Sequence, residues 1–234
     1  MSLPFFFLED LQENRQEYVL PEETSKHMIQ VLRMQVGEKI YLTNGFGLLA
    51  VAEIIDAHRK RCMVRMEKLE MMQRPSRQVT IAISPLKNSS RFEWFLEKSA
   101  EIGVSNIIPL MCKRTEKQQL RSERLQGILT SAMLQSKQCF ACQLSAPTQL
   151  KDLIASAMPC RKLIAHCLPQ QKNMLNNLIE AHADVLILIG PEGDFTEEEI
   201  DCCLKAGYEP VSLGENRLRT ETAGMVAAAL LCIG

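Results

Sequence analysis

The sequence predicts an α/β protein: a small β-barrel with one helix over residues 1–73, then a mostly parallel sheet covered by helices over residues 74–234. Three observations lead there. Strand patterns and a hairpin turn dominate before residue 73. The stretch Gln73-Arg74-Pro75-Ser76-Arg77 breaks the periodicity and marks a domain boundary. Beyond it, short apolar runs alternate with segments of helical spacing, as expected when neighbouring strands are joined by crossover helices.

The elements follow in order. Pro21-Glu22-Glu23-Thr24 opens a helical pattern through His27, Val31 and Leu32, closed near Gly37. Lys39–Thr43 is a strand leading into Asn44-Gly45, a hairpin turn because both residues tolerate positive φ. Leu48–Ile55 and Cys62–Met66 are further strands. After the boundary, Val79–Ile83 is a strand. Phe92, Phe95, Leu96, Ala100 and Ile102 keep helical spacing up to a stop at Gly103. Ile107–Leu110 is a strand, and a helix runs through Leu125, Ile128, Leu129 and Leu134. A short helix at Leu150–Ala157, a strand at Lys162–Cys167, a helix around Leu175–Ala181 and a strand at Val185–Ile189 come next. Thr196-Glu197-Glu198-Glu199 is a capping box. Val211–Leu213 is the last strand, and Thr220–Ile233 an Ala-rich final helix.

Composition narrows the class. Hydrophobic residues make up 46% of the 234, enough for a sizeable core and too many for disorder. No apolar run approaches a membrane span, and Leu3–Leu8 lacks the basic flank of a signal peptide. Nine scattered cysteines fit reduced thiols, and the expected compartment is the cytoplasm. A net charge of −1 leaves any RNA contact to local patches such as Arg59-Lys60-Arg61, Lys113-Arg114 with Lys117, and Arg217 with Arg219. Gly45-Phe46-Gly47-Leu48-Leu49-Ala50 matches a dinucleotide fingerprint on paper, but strand follows it where the fingerprint needs a helix. Cys139-Phe140-Ala141-Cys142 is a single CxxC without a second pair, and no metal site is expected. His166-Cys167 has no partner at a telling distance. No glycine-rich loop ends in Gly-Lys-Ser/Thr, which excludes a P-loop.

Two stretches carry the chemistry. The strand Val185–Ile189 ends in Gly190-Pro191-Glu192-Gly193-Asp194-Phe195, and the last strand ends in Leu213-Gly214-Glu215-Asn216-Arg217-Leu218-Arg219-Thr220-Glu221-Thr222-Ala223. Loops at the carboxyl ends of strands in an open α/β sheet are where ligands bind, so the pair reads as one site. Glycines let backbone approach a ligand closely, Pro191 stiffens the turn, and Asp194 suits a helix start. Arg217 and Arg219 supply planar donors for phosphate or carboxylate. Thr220 and Glu221 suit the first turn of the final helix whether or not the loop binds anything.

These loops resemble the SPOUT methyltransferases, and within them the RsmE-type family, whose signatures look like Ile-Gly-Pro-Glu-Gly-Gly-Phe and Leu-Gly-x-Arg-Ile-Leu-Arg-x-Glu-Thr-Ala. The likeness extends to His27 with Val31-Leu32-Arg33 and Gly37, to Lys98 with Glu101-Ile102-Gly103-Val104 and Ile108-Pro109-Leu110, and to Gln135-Ser136. It covers nearly the whole chain, with three departures. Asp194 replaces the second glycine of Gly-Gly-Phe. The Arg217-Leu218-Arg219 stretch is one residue short. Gln138 stands where many members carry Arg, which weakens the expectation of an RNA or phosphate contact there.

The resemblance implies a deep trefoil knot in the C-terminal domain, a PUA-like N-terminal barrel that holds RNA, and a homodimer. It implies methylation of uridine N3 in 16S rRNA of the small ribosomal subunit, with S-adenosyl-L-methionine as cofactor. His166 with its Cys167-Leu168 turn, Ile189, Gly190, Pro191, Glu192, Gly193, Leu213, Gly214, Leu218 and Thr222 would hold the cofactor. Adenine would be read mostly by backbone at Ile189, Leu213 and Leu218, with Gly190, Gly193 and Gly214 giving access. Arg219 would stabilise charge on the uracil oxygens, and Glu192 or Glu221 would accept the N3 proton, directly or through water. Arg33, Arg114 and Arg217 would contact RNA. Two other readings stand beside this one: a SPOUT enzyme acting on ribose 2′-OH or transfer RNA, and a non-catalytic RNA-binding assembly factor with a relic pocket.

Overall fold

A computed structural model describes residues 3–117, 119–169, 171–178 and 183–233. The chain forms two units. One comprises Met1–Arg74 together with Met133–Ala141, and the other Pro75–Ala132 together with Cys142–Gly234.

In the first unit, β1 (Phe5–Phe7), β2 (Glu17–Val19), β3 (Lys39–Thr43), β4 (Leu48–Asp56) and β5 (Met63–Met71) form one sheet in the order β1-β3-β4-β5-β2. Where a barrel was expected, β1 and β2 stand at the two ends of this order, and no pairing between them closes it among the described residues. Strict alternation along β4 sends Leu48, Ala50, Ala52 and Ile54 into a core with Phe6, Tyr18, Met28, Ile40, Leu42 and Val64. The helix expected up to Gly37 is shorter. It runs as α1 (Glu22–Lys26) and one π turn (His27–Val31). Arg33 then takes a left-handed φ of 57°, which turns Met34 inward and leaves Val31 and Leu32 exposed.

The β3–β4 hairpin turns through four residues rather than two. Asn44 acts through its side chain, Oδ1 accepting from the Phe46 and Leu48 amides, while Gly45 and Gly47 take positive φ. Those glycines also make room for residues 139–141. The Ala141 amide donates to the Gly45 carbonyl and the Gly47 amide to the Cys139 carbonyl, both at 2.8 Å. A Cβ on Gly47 would stand 2.6 Å from the Phe140 ring. The apparent dinucleotide fingerprint is thus a hairpin shaped to take a neighbouring backbone.

The second unit is built on a parallel sheet. Its elements are β6 (Val79–Ile83), α2 (Ser89–Ile102), β7 (Asn106–Met111), α3 (Ser122–Gln135, whose last turn belongs to the first unit), β8 (Gln143–Leu144), β9 (Thr148–Gln149), α4 (Leu150–Ala155), β10 (Arg161–Ala165), β11 (Asn173–Met174), β12 (Val185–Ile189), α5 (Glu197–Lys205), β13 (Glu209–Ser212) and α6 (Thr220–Ile233). The order is β11-β13-β10-β12-β6-β7-β8, with β9 also on β7. The helix expected around Leu175–Ala181 is a 3-10 turn at Leu175–Leu178, and the rest of that span lies outside the described residues.

Burial on both faces explains why the strands are continuous apolar runs. Val185, Ile187 and Ile189 of β12 pack with Phe95 and Leu96 of α2 and Ala227 and Leu231 of α6. Leu186 and Leu188 face the other way, with Leu153 of α4 and Ile200 and Cys203 of α5. Each such buried Leu or Ile contributes roughly 1.5–3 kcal/mol. Helix ends follow local rules: Asn88 caps α2, Gly103 ends it at φ 102°, and Thr196 and Glu199 form the expected capping box on α5.

The strand order sets up the site. β10 lies beyond the position that β12 later fills beside β6, and β13 then adds outside β10. The final helix nevertheless packs on β6 and α2. Residues 213–219 must therefore pass over the carboxyl end of β10 to that of β12, roughly 10 Å at two strand spacings. The crossing is fastened where the Thr220 hydroxyl donates to the Gly190 carbonyl at 3.1 Å.

Candidate active site

Three loops, after β10, β12 and β13, enclose a cavity of about 840 Å³ at the carboxyl edge of the sheet. That volume lies within the range of small-molecule sites. Residues 165–167, Lys172, 189–192, Asp194, 211–220 and Ala223 form the wall, and Arg91 of α2 closes one side. The wall is charged in both senses: Glu192, Asp194 and Glu215 against Arg91, Lys172, Arg217 and Arg219.

Most of the expected cofactor residues are there: His166, Ile189, Gly190, Pro191, Glu192, Leu213, Gly214 and Leu218. So are Arg217 and Arg219. Three of the expected residues stand outside the wall. Gly193 does not face the cavity. Its carbonyl accepts from Arg114 Nη1 at 2.6 Å, and a Cβ built on it would meet the Arg114 side chain. Thr222 is exposed on α6 and lies outside the wall, because a residue two past Thr220 turns away from the side Thr220 presents. Glu221 is buried behind the wall, its Oε1 3.8 Å from Arg91 Nε and its Oε2 without a hydrogen-bond partner among the described residues. Arg114 fastens the loop after β12 through the Gly193 carbonyl. Arg33 belongs to the first unit and is exposed.

The glycines act differently from one another. A Cβ at Gly190 would lie 2.9 Å from the Phe195 ring, so this glycine lets Phe195 fold back into the core. Gly214 has a φ of 141°, which a side chain would strain.

Asp194 stands two residues before Thr196, the cap of α5, and its carboxylate binds backbone on two loops. At a φ of 61° its Oδ2 accepts from the Cys167 amide and its Oδ1 from the Phe195 amide, both at 2.8 Å. One carboxylate thereby ties the loop after β10 to the loop after β12. His166 is buried, and burial, reinforced by the Lys172 charge, lowers its pKa below the ordinary histidine value, with Asp194 opposing. Lys172 is lowered too, by burial first, while its ammonium donates to the His166 carbonyl. Burial and the Asp194 charge raise the Cys167 thiol. All nine cysteines are free, and among the described residues no cluster of His, Cys, Asp or Glu could hold a metal.

Arg91, missed in the sequence, lies a hundred residues from the loops it faces. Its one signal was its place at the start of the helix that follows β6, on the same carboxyl edge. Its Nη1 is 3.9 Å from Glu192 Oε1, and no hydrogen bond from its guanidinium reaches a described residue.

A sheet edge of this kind, with three loops around a mixed-charge cavity, is where an α/β protein binds a small molecule. The chain is a member of the RNA methyltransferase family: that family's domain matches residues 73–232, and an RNA methyltransferase PUA domain matches residues 20–67. The chain is 30% identical over 210 residues to the ribosomal RNA small subunit methyltransferase E of Synechocystis, covering 87% of this chain and 69% of that one. A probable rRNA methyltransferase from Porphyromonas gingivalis has the same fold (TM-score 0.90, 40% identity, 97% of this chain and 95% of that one). The small subunit methyltransferase E of Neisseria gonorrhoeae, solved bound to S-adenosyl methionine, superposes at TM-score 0.85 with 26% identity, covering 97% and 96%.

Proposed function

We propose that the protein methylates N3 of a uridine in 16S rRNA, using S-adenosyl-L-methionine. The observation that carries this reading is the cavity under the crossing of residues 213–219, walled by the loops that match the family's signatures. The wall suits such a ligand. A neutral His166 avoids repelling a sulfonium, the carboxylates of Asp194 and Glu215 suit an ammonium, and apolar Ile189, Leu213 and Leu218 suit an adenine ring. S-Adenosylmethionine, when bound, supplies a methyl group on a positively charged sulfur.

The protein's own residues do the rest. The loops after β10, β12 and β13 hold the donor, and Arg219 offsets negative charge on the uracil oxygens. Glu192, which lines the cavity, takes the N3 proton, whereas Glu221 is set back behind Arg91. A base must leave its stack to reach this cavity. The N-terminal PUA-like unit, residues 1–73, holds RNA by shape and phosphates with Arg33 as a contact, and Arg217 of the cavity wall adds another. A trefoil knot, a homodimer and a cytoplasmic location complete the reading by family likeness.

Transfer from labelled S-adenosylmethionine to small subunits of a strain lacking the gene, followed by nucleoside analysis, tests it. Label in N3-methyluridine is expected. Label in 2′-O-methylated nucleosides or transfer RNA would replace the substrate, cofactor binding without any transfer would mean that the substrate is wrong, and failure to bind the cofactor would favour the assembly factor.

A further inference from the structure

We infer that Arg91 and Glu192 together read the imide edge of the target uracil, Arg91 donating to a ring carbonyl while Glu192 takes the proton from N3. The inference rests on the uridine-methylation reading and adds a substrate-contacting residue to it. Arg91 lines the cavity in the first turn of α2, where a cation opposes the helix dipole, so the position gains nothing for the helix itself. Two carboxylates stand beside it, Glu192 at 3.9 Å and Glu221 at 3.8 Å. Both hold its charge, and neither is close enough for a hydrogen bond. The guanidinium's five donors therefore remain available to a ligand.

The charge around it selects that ligand. Two carboxylates within 4 Å of the Arg91 guanidinium offset its charge, which weakens its pull on a phosphate. A neutral ring with acceptors on its edge does not depend on that pull. Uracil offers an N–H between two carbonyls, the complement of a carboxylate acceptor next to a guanidinium donor. Cytosine lacks that N–H. Its N3 is an acceptor, which would sit on the guanidinium and leave nothing for Glu192 to remove. In the step itself the N3–H bond breaks and the proton goes to the Glu192 carboxylate. The N3 electron pair bonds to the methyl carbon, and the carbon–sulfur pair stays on sulfur, leaving a neutral thioether. Negative charge that develops on the uracil oxygens falls opposite Arg91.

The test uses the full chain with Arg91→Gln, Arg91→Lys and Glu192→Gln. Readouts are kcat and KM for small subunits, calorimetric affinity for S-adenosylmethionine, the thermal midpoint and the pH–rate profile. Arg91→Gln should lower kcat about 100-fold or more, with cofactor affinity and midpoint near wild type. Arg91→Lys should recover part of the rate, since it keeps the charge without the planar fork. Glu192→Gln should lower kcat by a similar factor and change the pH–rate profile, which Arg91→Gln should leave in shape. A wild-type kcat in Arg91→Gln would overturn the inference. A loss of cofactor affinity matching the loss of rate would place Arg91 on the donor instead. A higher, salt-dependent KM at unchanged kcat would place it on a phosphate. Wild-type protein that binds the cofactor yet methylates no uridine would instead overturn the underlying reading.

Discussion

Asp194 sets backbone strain against hydrogen bonds, and two substitutions separate them. An L-residue in the left-handed region is roughly 1 kcal/mol less stable than glycine there, at the low end for aspartate. Against this stand the two carboxylate bonds at 2.8 Å, to the Cys167 and Phe195 amides. Charged hydrogen bonds contribute about 1.5–3 kcal/mol each, and partial exposure at Asp194 and Cys167 favours the low end. Asp194→Ala keeps the strain and loses both bonds, so it should destabilise by about 3 kcal/mol. Asp194→Gly loses the same bonds but sheds the strain, and should cost about 2 kcal/mol. In thermal unfolding of a chain this size each kcal/mol moves the midpoint by roughly 2–4 °C, so the glycine variant should melt a few degrees above the alanine variant. Both should bind S-adenosylmethionine more weakly, by a factor of about 10 for each 1.4 kcal/mol of loop ordering lost. Equal midpoints for the two variants would refute the strain. Wild-type cofactor affinity in either would refute the claim that the bond to Cys167 orders the cavity.

Other outcomes follow from the same wall. His166 has a folded-state pKa below its unfolded value of about 6.5, so its neutral form contributes stability that is present above that value and lost as pH falls from there through the lower folded value. Cofactor affinity should fall over the same window as a cation forms in the wall, and calorimetry of His166→Gln should show that part of the slope removed. Arg219→Ala should cut turnover strongly while leaving the circular dichroism melt almost unmoved, and unchanged turnover would remove its assigned role. Gly193→Ala should bind S-adenosylmethionine within about threefold of wild type. Its Cβ would meet the flexible Arg114 side chain at 3.3 Å, so a block of binding would mean the loop presents Gly193 to the cavity after all.

Strands β6, β7 and β12 were legible because each is an apolar run buried on both faces, and α2, α5 and α6 because caps and spacing agreed. Elements of two or three residues, such as β1, β2, β8, β9 and β11, are too short to show a period, and they exist only because a neighbouring strand pairs with them. The early end of the first helix turns on one residue, Arg33, in a conformation its type does not announce. In the site, the two signature loops stood out as contiguous words. Arg91 could not, since only the sheet order brings β6 beside β12. Asp194 was visible as a departure from the family pattern, yet its partner, the Cys167 amide, is a backbone group and leaves no mark on the sequence.

Residues 139–141 lying against the Gly45–Gly47 hairpin bear on how this chain can be cut. A fragment ending at the linker near Arg74 would lose the backbone partners of Gly45 and Gly47 and leave their carbonyl and amide to solvent. The remainder, begun at Pro75, would carry Phe140 on an internal loop stripped of the hairpin that receives it. Deletion clones, swapped modules and split reporters drawn at the apparent boundary would therefore damage both pieces. A gene dissection that respects the packing must graft the 133–141 segment onto the N-terminal piece.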